Sequence, residues 1–523
     1  MNQGRFISRN ARYFPDHPAI VFNDRITTFR ELDERSNRLA NALLGLGLRK
    51  GDRVAFQMSN RPAIVELEVA LYKAGLVRVP LNARLAPAEV VDAMENGEAR
   101  FFLVGDSHAE AVQALLVRLA GVEHFIGVGV GVGNVPVQGW HDYETLLANA
   151  ADTNPDVQMQ ADDLAVLHYT SGSTGKLKAA MQTVGNRLSH LRKVGMHRMR
   201  VSRGDVLLLS GPLTHASGMF LQPFLYQGGT ILIQDRFDPD LLLAAVERWR
   251  VTYTFMVPTM LNRLATHPDL NRYDISSLKQ IAYGGAPMAP ARIREAWEKL
   301  GPVLSQGYGG GETTGGLILF STEDHARAIH EVPQRLASCG RPIGESEVRV
   351  VDDAGEQVRG DEVGEIVVRG PDVFAGYWKE PELTKQAFDA QGWLHTGDLA
   401  KVDDEGFIYI VDRSKDMIIS GGFNIYPTEV EQALYAHPAV YEACVVGVPD
   451  DTWGVAVKAV VVLPAGLEAT EADIVRHCRE LLADFKKPRS VEFVAELPRN
   501  PNGKISRKLV REPYWAGLDR RVG

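Results

Sequence analysis

Up to about residue 340, apolar positions along the chain follow two alternating rhythms. Short unbroken apolar runs suit buried strands, and longer stretches with apolar residues three or four apart suit amphipathic helices. Thr28 and Glu31 stand at capping-box spacing, and Leu32, Leu39, Leu43 and Leu46 follow near helical spacing until Gly47 and Gly51 break the pattern. A strand is expected to start at Val54-Ala55-Phe56, a helix to run between Pro62 and Gly75, and residues 77–81 to form the next strand. Further on, strands are expected at 164–167, 206–209, 230–233 and 252–257, with a helix at 239–250. Another strand runs into a glycine-rich turn at 280–287. Residues 126–133 alternate Gly with Ile or Val, a period of two that predicts a Gly-rich strand. Strand–helix alternation of this kind predicts an α/β fold with largely parallel sheets.

From about Arg341 the pattern changes. Short strands at 348–351, 365–368 and 407–411, separated by Gly/Asp turns, predict a small β-rich subdomain. After Asp412 a helix is expected at 429–436, strands at 444–448 and 457–463, and a helix at 471–482. Roughly 110 residues suffice for a separate small α+β domain. The expected organisation is therefore α/β. A large N-terminal domain over 1–412 contains α/β subdomains with parallel-type sheets and the small β-rich subdomain, and a small α+β C-terminal domain covers 413–523. Near the end, Lys504, Arg507, Lys508 and Arg511 read by themselves as a solvated basic helix.

The apolar run at 164–167 leads into Tyr169-Thr170-Ser171-Gly172-Ser173-Thr174-Gly175-Lys176-Leu177-Lys178. Glycines let backbone amides approach an anion closely, hydroxyls donate hydrogen bonds and lysine supplies charge, so the stretch suits phosphate. Taken alone it equally suits a polar surface loop. Gly172 and Gly175 are too close for a Walker A loop, and the dinucleotide Gly-x-Gly-x-x-Gly spacing is missing. Ligands of open α/β sheets bind at the carboxyl ends of strands. This loop and those at 211–218 and 280–287 are therefore expected to share one cleft.

Composition narrows the classes. At 523 residues the chain exceeds one ordinary core, and 45% hydrophobic with 24% charged residues fits a soluble globular protein. There are 57 Lys and Arg against 66 Asp and Glu, a net charge of −9 that disfavours nucleic acid as a partner. Cys339, Cys444 and Cys478 are scattered, which suggests neither a disulfide framework nor a zinc site and fits a reducing compartment. With neither a basic-then-apolar leader nor an apolar run long enough for a membrane span, a cytoplasmic location is expected.

Six stretches, in order, resemble the adenylate-forming (ANL) superfamily of acyl-CoA synthetases, nonribosomal adenylation domains and luciferases. They are the loop ending at Lys178; Gly284-Gly285-Ala286-Pro287; Tyr308-Gly309-Gly310-Gly311-Glu312; Trp393-Leu394-His395-Thr396-Gly397-Asp398; Asp412-Arg413-Ser414-Lys415-Asp416-Met417-Ile418-Ile419-Ser420-Gly421-Gly422; and Pro498-Arg499-Asn500-Pro501-Asn502-Gly503-Lys504-Ile505. The layout is most similar to a medium- or long-chain fatty acyl-CoA ligase. The resemblance implies a two-step reaction. A carboxylate attacks the α-phosphate of ATP to give an acyl-adenylate and pyrophosphate, and a thiol, usually that of CoA, then displaces AMP. ATP, Mg²⁺ and CoA are the implied cofactors.

The same resemblance implies roles for particular residues. Thr170, Ser171, Gly172, Ser173, Thr174, Gly175 and Lys178 would hold the β- and γ-phosphates, although Leu177 and Ala179 replace the usual Pro and Gly. Glu312, with Thr174, would hold Mg²⁺. The family carries Thr or Ser before this Glu where this chain has Gly311, and Thr313 would replace it only after a local backbone shift. Tyr308 would stack on adenine beside the backbone wall Gly284, Gly285, Ala286 and Pro287. Asp398 would accept from the ribose hydroxyls with Arg413 nearby. Lys504 would be the adenylation lysine, Lys415 the hinge of a mobile C-terminal domain, and Gly421 and Gly422 the lining of a thiol passage. His215 would lie beside the reacting carboxylate, and the absence of an acid around it argues against an amino-acid substrate. Glycines 309, 310, 311, 315 and 316 leave room for a chain or ring.

The implied substrate is a carboxylic acid, a medium- or long-chain fatty acid first and an aryl acid as the alternative. A carrier-protein phosphopantetheine in place of CoA, a luciferase-like monooxygenase and a non-catalytic nucleotide sensor remain alternatives. A homodimer is a further open alternative.

Overall fold

The computed structural model describes residues 2–130, 139–171, 177–420, 423–450, 453–464 and 466–516. Two large sheets carry the N-terminal domain. One has seven strands in the spatial order His141–Asp142, His124–Val128, Phe101–Gly105, Arg53–Gln57, Val77–Leu81, Leu164–Ser171, Leu177–Thr183. The other has nine, and its centre runs Leu304–Gly310, Gln280–Gly284, Tyr253–Met256, Val206–Leu209, Thr230–Ile233. Interior neighbours pair in parallel and are buried on both faces, which is why Phe101–Gly105 and Thr230–Ile233 read as unbroken apolar runs. The nine-stranded sheet is antiparallel at both edges, as where Leu304–Gly310 returns through a tight turn to Gly315–Phe320, and the seven-stranded sheet is antiparallel at one, where Leu164–Ser171 meets Leu177–Thr183. Of the Gly-rich stretch, 126–128 lies in a strand and 131–133 lies outside the described residues.

Between the sheets runs the helix Pro62–Ala74, buried almost all round. Pro62 opens it and Gly75 closes it with φ +67°, a left-handed turn that favours glycine. Its apolar side chains join a core contributed by both sheets, among them Phe56, Phe101, Leu207 and Ile231. Its charged side chains are paired: Glu66 with Arg35 at 2.8 Å and Lys73 with Asp33 at 2.6 Å. The neighbouring helix Phe29–Gly45 starts with the expected capping box between Thr28 and Glu31.

The β-rich unit is an antiparallel sheet of Glu347–Val351, Gly364–Arg369, Leu394–Val402 and Ile408–Arg413. The chain then enters a small α+β domain with its own core, in which Glu442–Asp450, Gly454–Val462 and Ser490–Phe493 pack against Pro427–Tyr435 and Glu471–Leu481. The basic tail is not uniformly solvated. Arg507 opens the last helix, Arg507–Trp515, and its guanidinium is bound to Glu431 at 2.7 Å, whereas Lys508 and Arg511 stay exposed. No helix among the described residues is long and apolar enough to cross a membrane.

Candidate active site

The carboxyl ends of the central nine-stranded-sheet strands open into a cleft of about 1960 Å³, walled on its far side by the C-terminal domain. A single small-molecule site occupies roughly 300–1,000 Å³, so this cleft has room for more than one ligand. The loops 211–218 and 280–287 both reach it, as the sequence predicts.

At one end Asp398 is fixed from two sides. Tyr308 Oη donates to its Oδ2 at 2.6 Å, and Arg413 Nε stands 3.1 Å from its Oδ1. The backbone brings them together, because Asp398 and Arg413 are register partners on adjacent strands. Each carboxylate oxygen keeps a free lone pair for a further donor. Tyr308 lies on the hairpin strand Leu304–Gly310 with its ring partly buried. The backbone wall of residues 284–287 lines the same cleft.

Glu312 is held by a residue that the motifs do not contain. Tyr377 Oη donates to Glu312 Oε1 at 3.1 Å, and Lys178 Nζ lies 5.8 Å from the centre of the Tyr377 ring. Gly311 offers no side chain, and its carbonyl accepts from Gln182 Nε2 at 2.9 Å. Thr313 does not replace it. Its hydroxyl accepts from Gly310 N at 2.8 Å and donates to Gly315 O at 2.9 Å, so it is consumed inside the hairpin. Lys415 sits in the short turn Ser414–Asp416, just after Arg413. Burial holds it below the usual lysine range, Arg413 and Lys178 act in the same direction, and Asp416 and Asp398 oppose them. Lys178, Arg413 and Lys415 thus turn positive charge toward the cleft.

The C-terminal domain delivers Lys504. Its turn is held by Asn500, whose Oδ1 accepts from the backbone N–H of both Asn502 and Lys504, at 3.0 and 3.1 Å. The lysine reaches across to Gly285, where a β-carbon would stand 3.2 Å from both Cε and Nζ. Gly285 also has φ +82°, so side-chain-bearing residues are disfavoured there on two grounds. Burial pushes Lys504 down to about 8; Arg413 acts in the same direction and Asp398 opposes it. Asn82 Nδ2 donates to Asn502 Oδ1 at 2.8 Å and ties this turn to the large domain. His215 is partly buried nearby, its ring 5.2 Å from that of His168. Burial, then Lys504 and Arg78, push it down to about 4, so it is neutral at ordinary pH.

Thr170 and Ser171 end the strand Leu164–Ser171, and Lys178 and Leu177 are their register partners on the returning strand. Gly172, Ser173, Thr174 and Gly175 lie outside the described residues, as do Gly421 and Gly422.

This arrangement can be set beside known proteins. The model of the AMP-binding enzyme family matches residues 7–378, and that of the AMP-binding enzyme C-terminal domain matches 429–504. The chain belongs to the AMP-binding enzyme family. Within this family it is 40% identical to a feruloyl-CoA synthase of an Amycolatopsis species, over 98% of this chain and 99% of the other. It is 34% identical to the medium/long-chain-fatty-acid–CoA ligase FadD8 of Mycobacterium tuberculosis, over 97% of this chain and 89% of the other. Among solved structures, the amide bond synthetase McbA from Marinactinospora thermotolerans superposes with a TM-score of 0.88 at 31% identity, covering 97% of this chain and 99% of the other. In this AMP-binding enzyme, sequence reasoning missed Tyr377, Gln182 and Asn82. Each acts through one hydrogen bond across the fold, and no local pattern marks such a residue.

Proposed function

We propose that the chain is an ATP-dependent carboxylate–CoA ligase whose two half-reactions share this one cleft. The observation that carries this reading is Lys504, presented by one domain against Gly285 of the other and close enough to Arg413 and Asp398 to feel both. In the first step one carboxylate oxygen forms a bond to the α-phosphorus of ATP while the bond to pyrophosphate breaks. In the second the CoA sulfur bonds to the acyl carbon and AMP leaves with the former carboxylate oxygen. Both steps gather anions, so fixed positive charge and positioning supply most of the catalysis.

In this reading Lys504 neutralises the carboxylate and α-phosphate as they meet. Lys178 and the Gly/Ser/Thr loop take the outer phosphates, and Asp398 takes the ribose diol between Tyr308 and Arg413. The wall at 284–287 faces the adenine. His215, being neutral, serves as a hydrogen-bonding and steric neighbour of the acid and does not act as a cation. Mg²⁺ fits the donor set. It takes one or two carboxylates and completes its shell with phosphate oxygens and water, and Glu312 presents one carboxylate whose second oxygen lies over Gly310. Bound there, the ion would draw charge from the phosphates.

We place the domain junction after Asp412, with Lys415 at the hinge. In this reading the present arrangement is the one that adenylates. The Asn82–Asn502 hydrogen bond is expected to favour this arrangement, and one neutral hydrogen bond contributes roughly 1 kcal/mol. Asn82→Ala should therefore slow adenylation about fivefold and leave thioester formation from a supplied acyl-adenylate unslowed. Separate assays of the two half-reactions check this, and equal slowing of both would show that Asn82 serves only the fold.

The activity itself is tested by incubating the chain with ATP, Mg²⁺, CoA and a panel of fatty and aryl acids, followed by mass analysis of the products. An acyl-CoA with AMP and pyrophosphate is expected. Adenylate without thioester, rescued by a phosphopantetheinylated carrier protein, would move the acceptor to that class.

A further inference from the structure

Two side chains that line the same cleft carry buried polar atoms with no hydrogen-bond partner among the described residues. Arg198 closes the turn Val194–Arg198, which extends the helix Val184–Lys193. Its guanidinium faces Gly307, where a β-carbon would come 2.7 Å from Nη1, 2.8 Å from Nη2 and 2.9 Å from Cζ. On Gly316 a β-carbon would stand 3.2 Å from Nη1. The Phe220 ring lies on another side, its centre 5.3 Å from Cζ. Arg198 Nε and Nη2 are buried and have no hydrogen-bond partner among the described residues. Burial lowers its pKa to about 10, and no carboxylate opposes the shift. Arg78 and Arg187 are buried arginines too, but they share Glu68. A guanidinium removed from water without an acceptor is costly, so arginines kept for the fold alone are normally paired.

His190 is its neighbour. Nε2 lies 2.9 Å from the carbonyl oxygen of Met219. A carbonyl only accepts, so Nε2 carries the proton and Nδ1 is a bare acceptor. Burial, helped by the charges of Lys193, Arg187 and Arg198, keeps the ring neutral. Nδ1 is buried and unpartnered. The ring packs on Gly315, where a β-carbon would stand 2.9 Å from Nδ1. Adjacent glycines, 315 and 316, therefore give room to an acceptor and a donor. The wall beside them is aromatic, with the rings of Phe220 and Phe255 5.0 Å apart.

Three kinds of acid tail can be weighed against this pair. An alkyl end leaves both groups unpaired. A second carboxylate satisfies Arg198 but sets its charge against the bare lone pair of His190. A hydroxyl satisfies both, because its oxygen accepts from the guanidinium while its hydrogen is donated to Nδ1. We infer that Arg198 and His190 form a specificity pair that reads a hydroxyl group at the far end of the acid, and that the substrate is a hydroxylated aryl acid. The inference rests on the ligase reading and selects among its acids.

The test uses the full chain with ATP, Mg²⁺ and CoA, and compares kcat/KM for thioester formation from para-hydroxycinnamate, cinnamate, para-carboxycinnamate and octanoate. A site built to bond a hydroxyl discriminates strongly against analogues without one, because its own polar groups are then left unpaired. The wild-type chain is expected to prefer para-hydroxycinnamate by about 100-fold or more over the other three. Arg198→Met should remove most of that preference, chiefly through a higher KM for the hydroxy acid, and Arg198→Lys should restore part of it. If the variants fail to fold, the wild-type ratios decide alone. Equal use of cinnamate and para-hydroxycinnamate, or a preference for octanoate, would overturn the inference and leave the ligase intact. Preference for the para-carboxy acid would overturn the part assigned to His190. Equal loss on every acid in Arg198→Met would show a merely structural arginine. No thioester and no acid-dependent pyrophosphate from any acid would overturn both readings.

Discussion

Replacing Lys504 with alanine is expected to slow acyl-adenylate formation by about 10² to 10³, the usual effect of removing a preorganised charge from a developing anion. Thioester formation from a supplied acyl-adenylate should stay within about threefold of wild type, since no new phosphorus bond is made in that step. The effect has a pH signature. Burial lowers Lys504 to about 8, so it is charged below that pH and neutral above it. Adenylation kcat/KM should therefore fall as pH rises through about 8. Bound phosphates favour the charged form, so the corresponding limb in kcat should lie higher. In Lys504→Arg, which stays protonated throughout, the limb should vanish even though the rate is lower. Pyrophosphate release measured across pH for the three proteins checks each part. A K504A variant that adenylates normally would remove Lys504 from the chemistry.

The second large effect is expected at Asp398. Hydrogen bonds to a charged group contribute roughly 1.5–3 kcal/mol each. Losing the bonds to the ribose diol should raise KM for ATP about 100-fold in Asp398→Ala, with a smaller change in kcat. The same substitution strips Tyr308 Oη of its acceptor and leaves Arg413 without its 3.1 Å partner. Tyr308→Phe removes only the supporting bond and should raise KM for ATP about fivefold. Initial rates against ATP concentration separate the two. Equal effects from both would mean that Asp398 acts mainly by holding Tyr308.

Much of the fold is legible in the sequence because burial leaves local marks. Strands enclosed on both faces read as mainly apolar runs, and the residues at 77–81, 206–209 and 230–233 form strands over those bounds. Helix ends carry their own chemistry, as in the Thr28–Glu31 box and the Pro62-to-Gly75 span. The strand Leu394–Val402 was not legible, because His395, Thr396, Gly397 and Asp398 line the cleft and break the apolar pattern.

The site divides in the same way. The groups proposed to meet the nucleotide lie in compact motifs, and the fold brings Tyr308, Asp398, Arg413, Glu312, Lys178 and Lys504 to one cleft. Groups deeper in the cleft left no such trace. Arg198 stands in His197-Arg198-Met199-Arg200, a run outside every motif the sequence shows. Its guanidinium packs against the backbone only because Gly307 and Gly316, far along the chain, make room for it. The glycines expected to leave space for substrate prove to be partly filled from within, Gly315 by His190 and Gly316 by Arg198. Gly309 has φ +158°, and a β-carbon there would meet Gly315 O at 2.1 Å, so its smallness serves the hairpin.

The most direct test of an acyl-adenylate route follows the carboxylate oxygens. The acid, labelled with heavy oxygen at both positions, is converted with ATP, Mg²⁺ and CoA, and the products are weighed. Attack of the carboxylate on the α-phosphorus must leave one labelled oxygen on AMP and one on the thioester carbonyl, with none on pyrophosphate. Label in inorganic phosphate with ADP as the nucleotide product would mean an acyl-phosphate route and would contradict an adenylation role for Lys504 and Asp398.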